Sequence, residues 1–414
     1  MFIARRSFTS ATRCLREATA ESGSSSSTGF FGSVRSMFGK SQRQLELEKR
    51  EERENANNPY IQYPVVTKEQ MTYISNDRFK FQLGHASFAH HSTVSDPTVH
   101  SLSDLTDPTQ LNSLLPRRRP QGSPADTLSI KAGDDAMLVS PTVMAIADGV
   151  SGWESKGEQC SSGIWSRSMV ETLSRLMTEY KLNTTPHHLN KRDIDQILDD
   201  SYLHTSHLMD LQDLRGSSTL VLCMLSGEFL KMISIGDSKI LIVRKGEIIK
   251  TNEEQLVSEL CPQQIGTQTL NVMPSEVAWV DSIKLQPDDI IVMCSDGITD
   301  NLHEWEIAHM IDEYAHFKNN DMRAVANKIL RKAKSTAYDD NAYTPYNEMV
   351  NKLPENRFGK NISLGGKLDD MSICLARVVP NIKPQKNSAS SKKASGAPSK
   401  PPGPLRAPST YYDL

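Results

Sequence analysis

Residues 133–149, Gly133-Asp134-Asp135-Ala136-Met137-Leu138-Val139-Ser140-Pro141-Thr142-Val143-Met144-Ala145-Ile146-Ala147-Asp148-Gly149, set the architecture. From Ala136 to Ala147 the run is apolar except for Ser140, Pro141 and Thr142, which reads as two strands joined by a turn. An acidic pair precedes the first strand and an Asp-Gly follows the second. An Asp at a strand end projects beyond the sheet without interrupting its core.

Similar strand runs follow downstream. Ser218–Leu225, Phe229–Ile235 and Ile240–Arg244 come in close succession, with turn signals at Ser226-Gly227 and Gly236-Asp237. Lys245-Gly246-Glu247 marks another tight turn before Ile248-Ile249, and Asp289–Cys294 and Met371–Val379 complete the set. Closely spaced strands joined by short turns predict antiparallel sheets. Helical periodicity falls at Ser161–Tyr180, Asp193–Gln212, Trp305–Phe317 and Met322–Ala337. Strand runs and helix runs are segregated, so the chain reads as α+β, helices layered on packed sheets.

Only 37% of the 414 residues are hydrophobic, and the deficit is uneven. The first 75 residues, Ser92–Thr127 and the tail after Pro380 are polar, which leaves roughly 300 residues for one well-buried core, expected over 76–380. Five prolines and Arg117–Arg119 make 92–127 a surface insertion, expected to be disordered. Residues 381–414 are rich in Pro, Ser, Lys and Ala and cannot bury a core. Residues 21–75 read as a polar linker in which Ser41–Asn55 is either a short exposed helix or a solvated segment. The opening MFIARRSFTSATRCLR has four Arg, four Ser or Thr and no acid, the pattern of a mitochondrial presequence, placed at 1–20.

A net charge of −3 with no basic stripe gives no case for nucleic acid. Six scattered cysteines without a CxxC point to a reducing compartment rather than a disulfide framework. No apolar run approaches the ~20 residues of a membrane helix, so no transmembrane segment is expected.

Four acidic positions stand at the ends of apolar strands: Asp134-Asp135, Asp148-Gly149, Asp296-Gly297 and Asp369-Asp370. Taken singly, a strand-end Asp is more often a turn former or N-cap. Two Asp-Gly and two Asp-Asp motifs together point to a carboxylate cluster that would repel itself unless cations sit in it. Hard ions such as Mg²⁺ and Mn²⁺ take such oxygen ligands. His204-x-x-His207 has helical spacing but no third ligand nearby, and His90-His91 and His187-His188 lie in polar stretches. Gly216–Thr219 opens a strand and lacks the Walker order, so it reads as close backbone packing.

The ordered set Gly133-Asp134-Asp135-Ala136, Ala147-Asp148-Gly149-Val150-Ser151-Gly152-Trp153, Gly216-Ser217-Ser218-Thr219, Ile235-Gly236-Asp237-Ser238, Ser295-Asp296-Gly297-Ile298-Thr299-Asp300-Asn301 and Gly366-Lys367-Leu368-Asp369-Asp370-Met371-Ser372 resembles the motifs of PPM (protein phosphatase 2C-like) phosphatases. The DGV-x-GW, CPQQ (261–264), DGITDN and GGKxDD forms are similar to the mitochondrial matrix branch that includes the fungal azacytidine-resistance homologue. The resemblance covers roughly residues 76–380 and implies an α-β-β-α sandwich of two mainly antiparallel sheets. It implies hydrolysis of phosphoserine and phosphothreonine by a metal-activated water, on matrix phosphoproteins and with a link to ubiquinone biosynthesis, by a monomer.

Carried onto this chain, the resemblance has Asp148 bridge two Mg²⁺ or Mn²⁺ ions, with the Gly149 carbonyl on one and Asp296 and Asp369 on the other. Asp134 and Asp135 would hold metal-bound waters, and Asp237 would serve a third, weaker ion. Where many members place a general-acid His, this chain has Val150, and near the usual phosphate-binding Arg it has Lys131, able to supply a point charge. Ser151 replaces a usual Gly and Lys239 a frequent Arg. Asp300 is read as a helix-start residue outside the metal set. The alternatives are a pseudophosphatase that keeps the fold and docks partners, and another metal-dependent hydrolase such as a nuclease. The first is disfavoured by the intact Asp148, Asp296 and Asp369, the second by the lack of a basic groove.

Overall fold

The central strands are apolar along their whole length because both of their faces are covered. The computed structural model describes residues 76–90, 117–118, 126–150, 159–183, 189–269, 272–315, 321–354, 356 and 362–381. Twelve strands are labelled here: β1 (Phe79–Phe88), β2 (Arg117–Arg118), β3 (Leu128–Ala132), β4 (Asp135–Val139), β5 (Val143–Ala147), β6 (Leu220–Ser226), β7 (Phe229–Ile235), β8 (Lys239–Arg244), β9 (Glu247–Thr251), β10 (Trp279–Lys284), β11 (Ile290–Cys294) and β12 (Met371–Pro380). One sheet has five strands in the order β1-β12-β11-β8-β9, the other seven in the order β10-β7-β6-β5-β4-β3-β2. Every neighbouring pair in both is antiparallel.

Side chains alternate between two cores, as the period of two in a strand requires. Met137 and Val139 of β4, Met144 and Ile146 of β5, Ile291 and Met293 of β11, and Cys374, Ala376 and Val378 of β12 fill the layer between the sheets. Their neighbours Ala136, Leu138, Ala145 and Ala147 face α1 (Ser162–Asn183) and α2 (Lys191–Leu211). On the opposite side, Val292, Cys294, Met371, Ile373 and Leu375 pack under the turn α3 (Asp296–Thr299) and under α4 (Glu304–Ala315) and α5 (Met322–Ala337). The result is the expected helix–sheet–sheet–helix sandwich.

Trp165 anchors α1, fully buried, with its Nε1–H donating to Ser218 Oγ at 3.2 Å. Asn190 caps α2 through a reciprocal bond with Asp193, and Asp321 caps α5 by accepting from Arg323 N. A further helix, α6 (Pro345–Lys352), is capped by Thr344, and Asn347 Nδ2–H donates to Ser363 Oγ at 3.4 Å in the segment that leads to β12. The strands β1, β3 and β10 and helix α6 were not anticipated, nor was β2, which lies inside the insertion expected to be disordered and pairs with β3. Cys223, Cys294 and Cys374 are buried free thiols, and Cys261 is buried with its Sγ–H on Pro262 O. Among the described residues no helix is long and apolar enough to cross a membrane. The expected presequence, the linker, nearly all of the 92–127 insertion and the tail after 381 lie outside the described residues.

Candidate active site

Both sheets end at one rim in the same pair of motifs. In the seven-stranded sheet Asp134-Asp135 leads into β4 and Asp148-Gly149 leaves the adjacent antiparallel β5. In the five-stranded sheet Asp369-Asp370 leads into β12 and Asp296-Gly297 leaves the adjacent β11. Each sheet therefore sets a strand entry and a strand exit side by side. Only glycine fits at the two exits. A Cβ on Gly149 would lie 2.3 Å from the Asp134 carbonyl oxygen, and one on Gly297 2.1 Å from that of Asp370. Asp237 joins from the tight turn between β7 and β8, where Gly236 has φ +101°.

Hydrogen bonds lace the two halves together. Asp134 N–H donates to Asp370 Oδ2 at 2.7 Å, and Ser295 Oγ–H donates to Asp135 Oδ2 at 2.9 Å. Ser295 Oγ in turn accepts from Ser372 N–H at 2.9 Å, and Asp296 N–H donates to Asp148 Oδ2 at 3.3 Å. Thr219 and Ser238 share a 2.9 Å hydroxyl bond beneath Asp148 and Asp237.

Burial, reinforced by Asp370, pushes the Asp135 carboxyl well above its usual range. Burial also raises Asp148, with the charges of Asp296, Asp135, Asp369 and Asp237 adding to the shift, and raises Asp237, with Asp296 adding most. These six acids are thus electrostatic neighbours although the chain spaces them over more than two hundred residues. Asp296 behaves differently: burial would raise it, but the Lys367 ammonium holds it below the usual range. That ammonium lies 2.6 Å from Asp296 Oδ2, 2.6 Å from Asp300 Oδ2 and 3.1 Å from Asp369 Oδ2.

A divalent cation suits this donor set. Asp135 Oδ1 and Asp237 Oδ1 are buried and meet no hydrogen-bond partner among the described residues, and an orphaned buried carboxylate oxygen calls for a water or a cation. The ligand types are carboxylates and backbone carbonyls without His or Cys, as hard ions require. Among the described residues no group of three acidic, His or Cys side chains is placed to hold a metal ion as they stand; Asp296, Asp300 and Asp369 instead surround the Lys367 ammonium.

The remaining candidates divide. Asp134 is buried and its Oδ1 accepts from Gly163 N–H at 3.1 Å, so it caps the first turn of α1 beside the rim. Lys131, also buried, packs against the same turn at Gly163. Val150 is fixed by its backbone, donating to Ser217 O at 3.0 Å and accepting from Ser162 Oγ at 2.6 Å; Ser151 to Trp153 lie outside the described residues. Gly216–Thr219 does serve close packing: Ser217 and Ser218 pair with Gly266 and Ile265. Lys239 binds Glu254 and Glu304 at 2.9 and 3.0 Å. His204 and His207 sit on α2, half-buried and exposed, with burial and Arg175 pushing His204 down to about 3.

The helix-start reading of Asp300 is corrected. The helical turn begins at Asp296, so Asp300 is its C-cap, 7% exposed, and its carboxylate points into the cluster. Burial pushes it up to about 7 against the pull of Lys367. Sequence reasoning also gave Lys367 no role. Its one signal was a lone lysine between Gly366 and two aspartates, inside an otherwise acidic motif set.

A two-sheet sandwich with paired carboxylate motifs at one rim defines a class of phosphatases, and direct comparison agrees. The family model described as Protein phosphatase 2C matches residues 125–333, just over half of the chain, so the chain belongs to the protein phosphatase 2C family. It is 29% identical over 263 residues to the probable protein phosphatase 2C 26 of Arabidopsis thaliana, spanning 60% of this chain and 79% of that one. It is likewise 29% identical over 259 residues to the protein phosphatase PTC7 homolog of Homo sapiens, spanning 59% and 79%. Among solved structures, the photosystem II phosphatase PBCP has the same fold, with TM-score 0.52, 21% identity, and coverage of 72% of this chain and 98% of that one.

Proposed function

We propose that the chain is an active Mg²⁺- or Mn²⁺-dependent phosphatase acting on phosphoserine and phosphothreonine in proteins. The observation that carries this reading is the meeting of two Asp-Gly and two Asp-Asp motifs at one rim, with Asp135 Oδ1 and Asp237 Oδ1 buried and unpartnered. A module that only docked partners would have no need to hold mutually repelling carboxylates together.

In this reading Asp148, the Gly149 carbonyl, Asp296 and Asp369 would hold the ions. Asp134 and Asp135 would hold water beside them, and Asp237 would serve a further, weaker ion. When bound, the ions supply Lewis-acid charge that acidifies a water and neutralises phosphoryl oxygens. The chain's own contribution is to hold the carboxylates on rigid strand ends. The Ser295 hydroxyl on Asp135 and the Asp296 N–H on Asp148 fix which oxygens face the rim before substrate arrives. Lys131 supplies a point charge toward the phosphate. Val150 carries no proton, so that position delivers none to the leaving oxygen.

The acid-free, four-arginine start supports a mitochondrial presequence at 1–20. With it goes a phosphatase unit over 76–380 that works as a monomer on matrix phosphoproteins, including those of ubiquinone biosynthesis. The test is hydrolysis of p-nitrophenyl phosphate and of phosphoserine peptides with Mn²⁺ or with EDTA, beside single-stranded DNA and RNA. The reading predicts Mn²⁺-dependent release of phosphate and no nuclease activity. Full turnover in metal-free buffer, or none with Mn²⁺, refutes it.

A further inference from the structure

Lys367 is a cation inside the carboxylate cluster that the mechanism above leaves without a task. Its Nζ touches Asp296 and Asp369, the two carboxylates assigned to one ion, and also Asp300. The lysine is delivered there by a built segment. Its N–H donates to Asn301 Oδ1 at 3.0 Å, while Asn301 Nδ2–H donates back to Lys367 O at 2.8 Å and to Gly297 O at 2.9 Å. Asn301 is 2% exposed, so a single buried amide clamps the Lys367 backbone to the Asp296-Gly297 turn. Just before it, Gly366 N–H donates to Asp339 O at 3.0 Å, and no Cβ could be fitted at Gly366 against Thr336 O. The Tyr346 ring flanks the ammonium, its centroid 5.6 Å from Nζ.

An ammonium with three carboxylate acceptors and a divalent ion on the same oxygens are mutually exclusive occupants of one place. We propose that Lys367 is an internal counter-ion: it fills the Asp296–Asp369 position of the rim in the metal-free chain and must be displaced when the ion binds. It thereby stabilises the empty site and sets the ion concentration needed to fill it. This rests on the metal-dependent reading given under Proposed function.

Two consequences separate this from a static neighbouring charge. Without the lysine the metal-free carboxylates repel one another unrelieved, while an incoming ion meets no competitor. Removing a unit charge a few ångströms from a divalent ion changes its binding by about tenfold or more, even at an effective dielectric of ~20. A displaced lysine also becomes newly accessible when the ion arrives, whereas a fixed one does not.

The experiment uses the full chain stripped of metal with EDTA. Mn²⁺ is titrated calorimetrically into wild type, Lys367→Met, Lys367→Arg and Asp148→Asn, metal-free melting temperatures are recorded, and acetylation of Lys367 by an amine-reactive ester is followed by mass spectrometry with and without Mn²⁺. The expected result is Mn²⁺ binding about tenfold or more tighter in Lys367→Met together with a lower metal-free melting temperature, both moved back toward wild type in Lys367→Arg. Acetylation of wild-type Lys367 should rise severalfold on adding Mn²⁺. Equal or weaker binding in Lys367→Met, or acetylation that Mn²⁺ leaves unchanged, overturns the proposal. If Lys367→Met does not fold, the labelling of wild type still decides. A wild type that shows no more Mn²⁺ heat than Asp148→Asn overturns the metal-dependent reading itself, a failure distinct from the other two.

Discussion

Gly297→Ala would place a Cβ 2.1 Å from the Asp370 backbone oxygen, 3.1 Å from its carbonyl carbon and 3.2 Å from Met371 Cγ, where ordinary contact begins at 3.4 Å. Either the Asp296-Gly297 turn or the entry to β12 must therefore retreat by about 1 Å, and both are tied down. Ser295 N–H donates to Ser372 O at 3.0 Å, Ser372 N–H to Ser295 Oγ at 2.9 Å, and Asn301 Nδ2–H to Gly297 O at 2.9 Å. Overpacking of this kind costs about 1–3 kcal/mol, which in a unit of this size lowers the melting temperature by roughly 2–6 °C. The wedge also lies between Asp296 and Asp369, so the rim opens where the chemistry is placed, and a displacement of ~1 Å can cost about 10²-fold in rate. Scanning fluorimetry and kcat on a phosphoserine peptide measure the two effects. A Gly297→Ala protein with parental melting temperature and kcat would show that the Asp-Gly motif is not a close-packing device.

Asp148→Asn and Asp296→Asn should each lower kcat by about 10³-fold or more, with the metal-free chain as stable as wild type or more so for Asp148→Asn, since carboxylate repulsion is relieved. A folded Asp148→Asn enzyme with near-normal Mn²⁺-dependent turnover would place the ions elsewhere. Burial raises Asp300 to about 7 and Asp370 to about 6, above the ~3.9 of an unfolded Asp. The folded chain therefore holds more protons than the unfolded one in that window, and the metal-free protein should lose stability as pH rises from about 4 through 7. Asp300→Asn should flatten that slope, and a melting temperature that climbs across the window in wild type contradicts the assignment.

The strands that the sequence makes plain are those covered on both sides, such as Val143–Ala147 and Ile290–Cys294, whose unbroken apolar runs have no other reading among short turns. Phe79–Phe88 escaped notice because it is an edge strand whose alternation of Phe79, Phe81 and Leu83 with Lys80 and Gln82 breaks at Gly84, where the buried face switches to Gly84 and Ala86. Trp279–Lys284 is likewise an edge strand, half-exposed and broken by Asp281 and Ser282. The site was legible as far as its residues stand at strand ends. The convergence of the two sheets depends on tertiary bonds such as Asp134 N–H to Asp370 Oδ2, between residues 236 positions apart, and no local pattern encodes those. Asp300 was misread for a simpler reason: Asp-rich DGITDN looks like a helix start, and the turn begins four residues earlier than that reading places it. Lys367 was passed over because a lysine near carboxylates normally reads as a surface ion pair.

Crystals of the full chain soaked in Mn²⁺, with diffraction recorded at the manganese absorption edge, address the central claim most directly. The account predicts anomalous peaks about 2.0–2.6 Å from carboxylate oxygens of Asp148, Asp296 and Asp369, the range of hard cations on oxygen, with Lys367 Nζ withdrawn from Asp369. Manganese bound only away from this rim, in crystals of protein that still hydrolyses phosphoserine peptides, would contradict it.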